Sequence, residues 1–260
     1  MNRNDPSRGV SVHLLPSLIP EGSLSGGIAV VVDVLRATSL MVHALAAGAN
    51  AIVPCLEIDE AKQKARELPP GSALLAGERQ GVPIPGFDLG NSPRSCDRDR
   101  CAEKTIVMTT TNGTRAVLAS LKAERVLIGA FVNFSATTNA LIKADRDVHI
   151  ICSGTDGFIS LEDSLLAGAI AARLIGGDES RSSRFDHAND SALIVDRLFR
   201  SIAVENPSPE DIRRTIVLGR GGRRVTALGL AEDIDDVARF DRFDLVCELK
   251  RDPLRIVSVP

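Results

Sequence analysis

An acid, a guanidinium and two hydroxyls fall within seven residues, Asp33-Val34-Leu35-Arg36-Ala37-Thr38-Ser39, directly after the apolar run Ile28 to Val32. Asp33 can act as base, nucleophile or metal ligand. Arg36 carries the planar fork that takes a phosphate or sulfonate through two parallel hydrogen bonds, and Thr38 and Ser39 add donors. A local reading stands beside this one, in which Asp33 caps the next helix and pairs with Arg36. A second polar group, Thr109-Thr110-Thr111-Asn112-Gly113-Thr114, follows the apolar run Ile106 to Met108 and precedes Ala116, Val117, Leu118 and Leu121 at helical spacing. Strand, tight loop and helix start bring unpaired N–H groups and a positive dipole end to one point, which favours an anion. Thr110, Thr111, Asn112, Gly113 and Thr114 are therefore the expected cradle.

A third group runs from Cys152-Ser153-Gly154-Thr155-Asp156 to Ser160-Leu161-Glu162-Asp163. Ser160 and Asp163 have the spacing of a capping box, with Asp in place of Glu or Gln. Asp156, Glu162 and Asp163 crowd one strand end, and such hard oxygen ligands suit Mg²⁺.

The elements that must position these groups alternate, strand then helix, so an α/β layered domain is expected. Strands are predicted at 28–32, 51–54, 73–76, 104–109, 125–129 and 147–152, and helices at 38–47, 58–68, 114–121, 134–143 and 161–175. Residues 77–101 form a long connection rich in Gly, Pro and Asp, the kind of loop that is commonly functional or disordered. Gly176 to Arg184 reads as a polar linker, followed by helices at 186–204, 208–219 and 222–239 and strands at 245–249 and 255–259. All of this fits one domain over 1–260, with a core at roughly 10–175 and the helix-rich part 186–260 packed on it. Thr38 to Pro54 and Thr114 to Gly129 form a weak internal repeat of loop, helix and strand. Two such loops on neighbouring parallel strands would face one crevice.

Composition removes several function classes. The chain has 260 residues, 44% of them apolar, a formal charge of −3, eight Phe and neither Trp nor Tyr. Nothing supplies the basic footprint or the stacking platform of a nucleic-acid binder. No apolar run reaches the roughly 20 residues of a membrane span, and the polar start lacks a secretory leader, so a cytoplasmic protein is expected. Cys55 and Cys152 read as buried thiols, and Cys96 and Cys101 lack the second pair that a zinc site needs. The four histidines show no triad partner. The haloacid dehalogenase pattern fails at Leu35, the tyrosine-phosphatase pattern fails at Phe158, and no P-loop is present.

Taken together, the loops resemble the 2-phosphosulfolactate phosphatase family. The resemblance is carried by Asp33 to Ser39, Gly77-Glu78-Arg79, Gly86 to Pro93, Thr109 to Thr114, Gly129 to Asn133 and Ser160 to Asp163, six blocks in order, with a looser fit through Asp233 and Asp244. It implies a three-layer α/β/α fold with a mixed, largely parallel sheet. It also implies a Mg²⁺-dependent phosphomonoester hydrolase that converts 2-phospho-3-sulfolactate to sulfolactate on the route to coenzyme M. That substrate carries phosphate, sulfonate and carboxylate, so several anion sites agree with it. On this reading Asp33, Glu162 and Asp163 supply the metal ligands, while Arg36 and Thr110 to Thr114 offset phosphoryl charge. Glu78, Arg79, Asp88 and Asn91 on the long loop cover the substrate and hold its sulfonate or hydroxyl. Attack by water and attack by Asp33 both stay open. So do a phosphatase of another small polyanionic ester, a lyase or transferase using the same pocket, and a non-catalytic anion binder. The Ala- and Leu-rich helix at 161–175 serves equally as core or as a homodimer face.

Overall fold

A computed structural model describes residues 7–176, 185–202 and 207–259. The strands among them are β1 Arg8–His13, β2 Ile28–Val32, β3 Ala51–Pro54, β4 Ala73–Arg79, β5 Val82–Pro83, β6 Thr105–Thr109, β7 Arg125–Gly129, β8 Val148–Cys152, β9 Phe185–His187, β10 Val246–Arg251 and β11 Leu254–Val259. They form one sheet in the order β5-β4-β6-β3-β11-β10-β7-β2-β8-β1-β9. Two parallel blocks, β4-β6-β3 and β7-β2-β8-β1-β9, are joined by the antiparallel hairpin β10–β11. The expected mixed, largely parallel sheet is present.

The helices are α1 Ala37–Ala46, α2 Ile58–Glu67, α3 Arg98–Cys101, α4 Gly113–Ala119, α5 Phe134–Ala144, α6 Leu161–Gly176, α7 Asp190–Ile202, α8 Pro209–Ile216, α9 Arg220–Ala227 and α10 Ala231–Val237. They cover the sheet on both sides, and β2 shows how. Ile28, Val30 and Val32 join a core with Leu165, Ile170, Ile212 and Ile234 from α6, α8 and α10. Ala29 and Val31 point the other way, into a core with Leu40 and Met41 of α1 and Val117 of α4. A strand buried on both faces is apolar without a break, because alternate side chains enter opposite layers.

Several boundaries differ from expectation, each for a local reason. The predicted helix over 222–239 is two helices, because Gly229 takes a positive φ of 75° between α9 and α10. The predicted helix over 186–204 begins only at Asp190, since Phe185 to His187 pair in parallel with β1. β1 itself was hidden by a polar N-terminal context, and Thr38's helix starts one residue early, at Ala37. Of the predicted linker, 177–184 lie outside the described residues. The two repeat loops follow β2 and β6, which are not neighbours: β3, β11, β10 and β7 stand between them. The helices that follow nonetheless meet, and that contact builds the site. All five cysteines are free thiols. Among the described residues, no helix is long and apolar enough to cross a membrane.

Candidate active site

Asp33 follows β2 and is buried between the starts of α1 and α4. Its Oδ1 accepts the Ala37 amide at 3.3 Å. Gly113, the first residue of α4, packs on the other side, where an added Cβ would strike Ala37 and stand 2.5 Å from Asp33 Oδ2. Only glycine allows that approach. Thr38 and Ser39 secure the loop from below. Thr38 Oγ1 donates to the Asp33 carbonyl at 2.9 Å and accepts the Asp33 amide at 3.0 Å, and Ser39 Oγ donates to the Val34 carbonyl at 2.8 Å. Both hydroxyls are buried and serve the turn itself.

Acids converge on Asp33 from two other elements, β4 and α6. Burial, then the charges of Glu78 and Glu162, raise its pKa from 3.8 to about 7, against hydrogen bonds from Ala37 and Ser153 that pull it down. Glu78, near the end of β4, is fixed by the amides of Gly81 at 2.6 Å and Thr111 at 2.7 Å and by the Thr111 hydroxyl at 3.2 Å. Asp163 in α6 is pushed well above the carboxylate range by burial and by Asp33 and Glu162. Its Oδ1 accepts the Val34 amide at 2.9 Å, and its Oδ2 accepts Ser153 Oγ and the Gly154 amide, both at 3.0 Å. Glu162 is buried, its pKa is raised chiefly by that burial, and its Oε2 has no hydrogen-bond partner.

In the threonine-rich loop, the hydroxyls expected to line an anion cradle are engaged within the protein. Thr110 Oγ1 accepts the Thr114 amide at 3.1 Å, while Thr114 Oγ1 accepts the Thr110 amide and donates to the Thr110 carbonyl. The two buried hydroxyls thus satisfy each other's backbone, and Thr111 is engaged with Glu78. Asn112 stands at the N-cap of α4 without a side-chain cap bond. The loop shapes the wall around Asp33 and Glu78.

Arg36 does not pair with Asp33. It is buried in an ion pair with Asp233 of α10 at 2.8 Å and donates to the Gly81 carbonyl at 2.9 Å. Arg79 spans strand ends, donating to Thr109 Oγ1 at 3.0 Å and to the carbonyls of Glu78 and Leu56. Asp88 is not brought to the acids: its exposed carboxylate accepts the Leu75 amide at 2.7 Å, and it lines a separate groove with Lys62 and Arg66. Asn91 is buried with Oδ1 unpartnered, next to Ser92, whose hydroxyl donates to Asp233 at 2.5 Å.

The model of the 2-phosphosulpholactate phosphatase family matches residues 13–252. The chain belongs to this family. A probable 2-phosphosulfolactate phosphatase of Caldanaerobacter subterraneus is 37% identical over 226 residues, 87% of this chain and 89% of the relative. Proteins of the same description in Thermotoga petrophila and Clostridium perfringens are 39% and 32% identical, covering 84% and 96% of this chain and 87% and 96% of theirs. In this member of the 2-phosphosulpholactate phosphatase family, sequence reading missed Ser153 and Asp233 as site residues. Ser153 stands between Asp33 and Asp163, and it was visible only as part of a strand-end motif. Asp233 entered only through the looser fit of the C-terminal part and without a role, because its partner lies 197 positions away.

A divalent cation fits the acid cluster. Burial raises the pKa of all three carboxyls, the charge of Glu162 adds to the shift of Asp33 and Asp163, and Glu162 keeps an oxygen without a partner. Among the described residues no three His, Cys, Asp or Glu side chains form a ready cage. Mg²⁺ commonly takes only one or two carboxylates and completes its shell with water and substrate oxygens, so the donor set suits that ion.

Proposed function

We propose that the protein is a Mg²⁺-dependent phosphomonoesterase that releases phosphate from 2-phospho-3-sulfolactate to leave 3-sulfolactate, in the cytoplasm and on the route to coenzyme M. The observation that carries the reading is the cluster of Asp33, Glu162 and Asp163, buried together where two helix starts meet, in a chain of this family. Asp33 and Glu162 would hold the metal, and Asp163 braces the loops after β2 and β8. When bound, Mg²⁺ supplies positive charge against the phosphoryl oxygens, the effect that dominates phosphoryl transfer.

The chain's own residues supply position. The Ala37 amide and Ser153 hydroxyl orient the Asp33 carboxylate, and Thr111 and Gly81 orient Glu78. Asp33 is our candidate for the group that meets the phosphorus centre or accepts the proton of the attacking water. Phosphate release from 2-phospho-3-sulfolactate and a panel of small phosphate esters, with and without EDTA, tests the proposal. Release that survives EDTA removes the metal from it. No release from any ester leaves an anion binder.

A further inference from the structure

The start of α9 reads Gly219-Arg220-Gly221-Gly222-Arg223-Arg224, and glycine seats it against the acids. A Cβ on Gly221 would run into Glu162 Oε1, and one on Gly219 would stand 2.8 Å from Glu162 Oε2, the buried oxygen that lacks a partner. Arg220 and Arg224 are four residues apart and share one helix face. That face turns to the loop between β8 and α6: the Arg220 guanidinium lies 4.2 Å from the centre of the Phe158 ring, and Arg224 pairs with Asp156. Arg224 also borders the turn between β4 and β5, its Cδ 3.5 Å from where a Cβ of Gly81 would sit, and the charge of Glu78 acts on it. Arg223 is turned away and donates to the Leu218 carbonyl at 2.6 Å.

The contrast with Arg36 decides which cations can receive a ligand. Arg36 is buried and committed to Asp233 and Gly81. Arg220 is exposed and makes no ion pair among the described residues, and stacking on a ring leaves the in-plane N–H groups of a guanidinium open. Arg224 is partly exposed, and so is its partner Asp156. The site is thus divided by charge, with acids at its base and two arginines at its rim.

We propose that Arg220 and Arg224 form the subsite for the second acid group of the substrate, the sulfonate or carboxylate that carries no phosphoryl group. The inference rests on the phosphatase reading for the ester end and moves recognition of the other end from the long loop to α9. The open fork of Arg220 matches the paired oxygens of such a group. Arg224, whose Nη1 and Nη2 both donate to the partly exposed Asp156 carboxylate, joins it by exchanging that carboxylate for the ligand.

The test compares wild type, Arg220→Gln/Arg224→Gln and Arg220→Lys/Arg224→Lys on 2-phospho-3-sulfolactate and on phenyl phosphate, which has no second acid. In the Gln pair, the loss of kcat/KM on phosphosulfolactate is expected to exceed that on phenyl phosphate by roughly 100-fold, to lie in KM, and to be partly restored in the Lys pair. Equal losses on both esters, or none on either, overturn the subsite. Calorimetric binding of sulfolactate separates this from the phosphatase reading. Binding by wild type that is lost in a Gln pair with an unchanged melt supports the subsite even without hydrolysis. A wild type that binds no sulfolactate, or a Gln pair that binds it as tightly, overturns it.

Discussion

Arg36 Nη1 lies 2.8 Å from Asp233 Oδ2, and both side chains are almost wholly buried. The pair ties the loop after β2 to α10, and Ser92 extends it to the long connection through its own bond to Asp233. Removing one partner of a buried pair strands the other charge, at a cost of about 3–5 kcal/mol. Asp233→Asn is therefore expected to lower Tm by roughly 10 °C and to reduce activity with it. A phosphate clamp would behave differently: Arg36→Gln would raise KM while Asp233→Asn left Tm in place. Thermal melts of the two variants distinguish these outcomes.

The rings of His13 and His149 stack, with Nε2 of the first 3.4 Å from Nδ1 of the second. Burial lowers both pKa values below 6.5, and the charge of His13 lowers His149 further. A folded state that binds fewer protons than the unfolded chain loses stability as pH falls. The contribution of this pair is thus present above pH 6.5 and is lost as pH falls below it. Asp33 has the opposite sign: its raised pKa favours the folded state most below pH 3.8, an advantage lost as pH rises through about 7. The measurement is therefore a difference. His149→Gln is expected to shrink the Tm drop between pH 7.5 and pH 5.5, and an unchanged drop would assign acid sensitivity elsewhere.

Sequence alone singled out Asp33, Glu162 and Asp163, acids that stand out against strand and helix periodicity, and the fold buries all three. It also found the mixed α/β fold, since β2 is an unbroken apolar run and β8 is interrupted only by His149. What it could not show were pairings between distant positions. The ion pair of Arg36 with Asp233, the clamp of Thr111 on Glu78 and the seat of α9 against Glu162 all depend on tertiary contact. The threonine loop shows the same limit from the other side. Its hydroxyls advertise hydrogen bonding, but only the fold shows that Thr110 and Thr114 spend theirs on each other's backbone. The sequence order of the repeat likewise suggested adjacent strands, whereas the β10–β11 hairpin, formed by the last described residues, enters the sheet between the two blocks.

Gly113 and Thr110 give a paired test of that loop. Gly113→Ala pushes a methyl into Ala37 and Asp33, and overpacking of this kind costs about 1–3 kcal/mol. Because the displaced group is the Asp33 carboxylate, activity is expected to fall far more than stability, by roughly 100-fold, in line with the effect of small displacements of reacting groups. Thr110→Val removes a hydroxyl that caps Thr114 and should cost about 1 kcal/mol with little change in kcat. A large activity loss in Thr110→Val, with the melt unchanged, would return that hydroxyl to the substrate.

Metal removal tests the acid cluster without reference to turnover. Asp33, Glu162 and Asp163 are buried together, and ionising all three in the absence of a cation is unfavourable. A ligand that binds only the folded state raises its stability by RT ln(1 + [L]/Kd), about 2.7 kcal/mol at a hundredfold excess over Kd. Adding Mg²⁺ to EDTA-stripped protein is therefore expected to raise Tm, by roughly 5–10 °C near saturation. Asp33→Asn should lose most of that shift, because the variant removes both a ligand oxygen and the charge that makes the cluster costly. It should also melt higher than wild type in EDTA above pH 7, where the native carboxylate is forced to ionise in the apolar interior. Glu162→Gln is expected to reduce the Mg²⁺ shift less, since Asp33 and water can still complete the shell. An equal shift in wild type and Asp33→Asn would remove Asp33 from the metal site and leave its raised pKa to proton transfer alone.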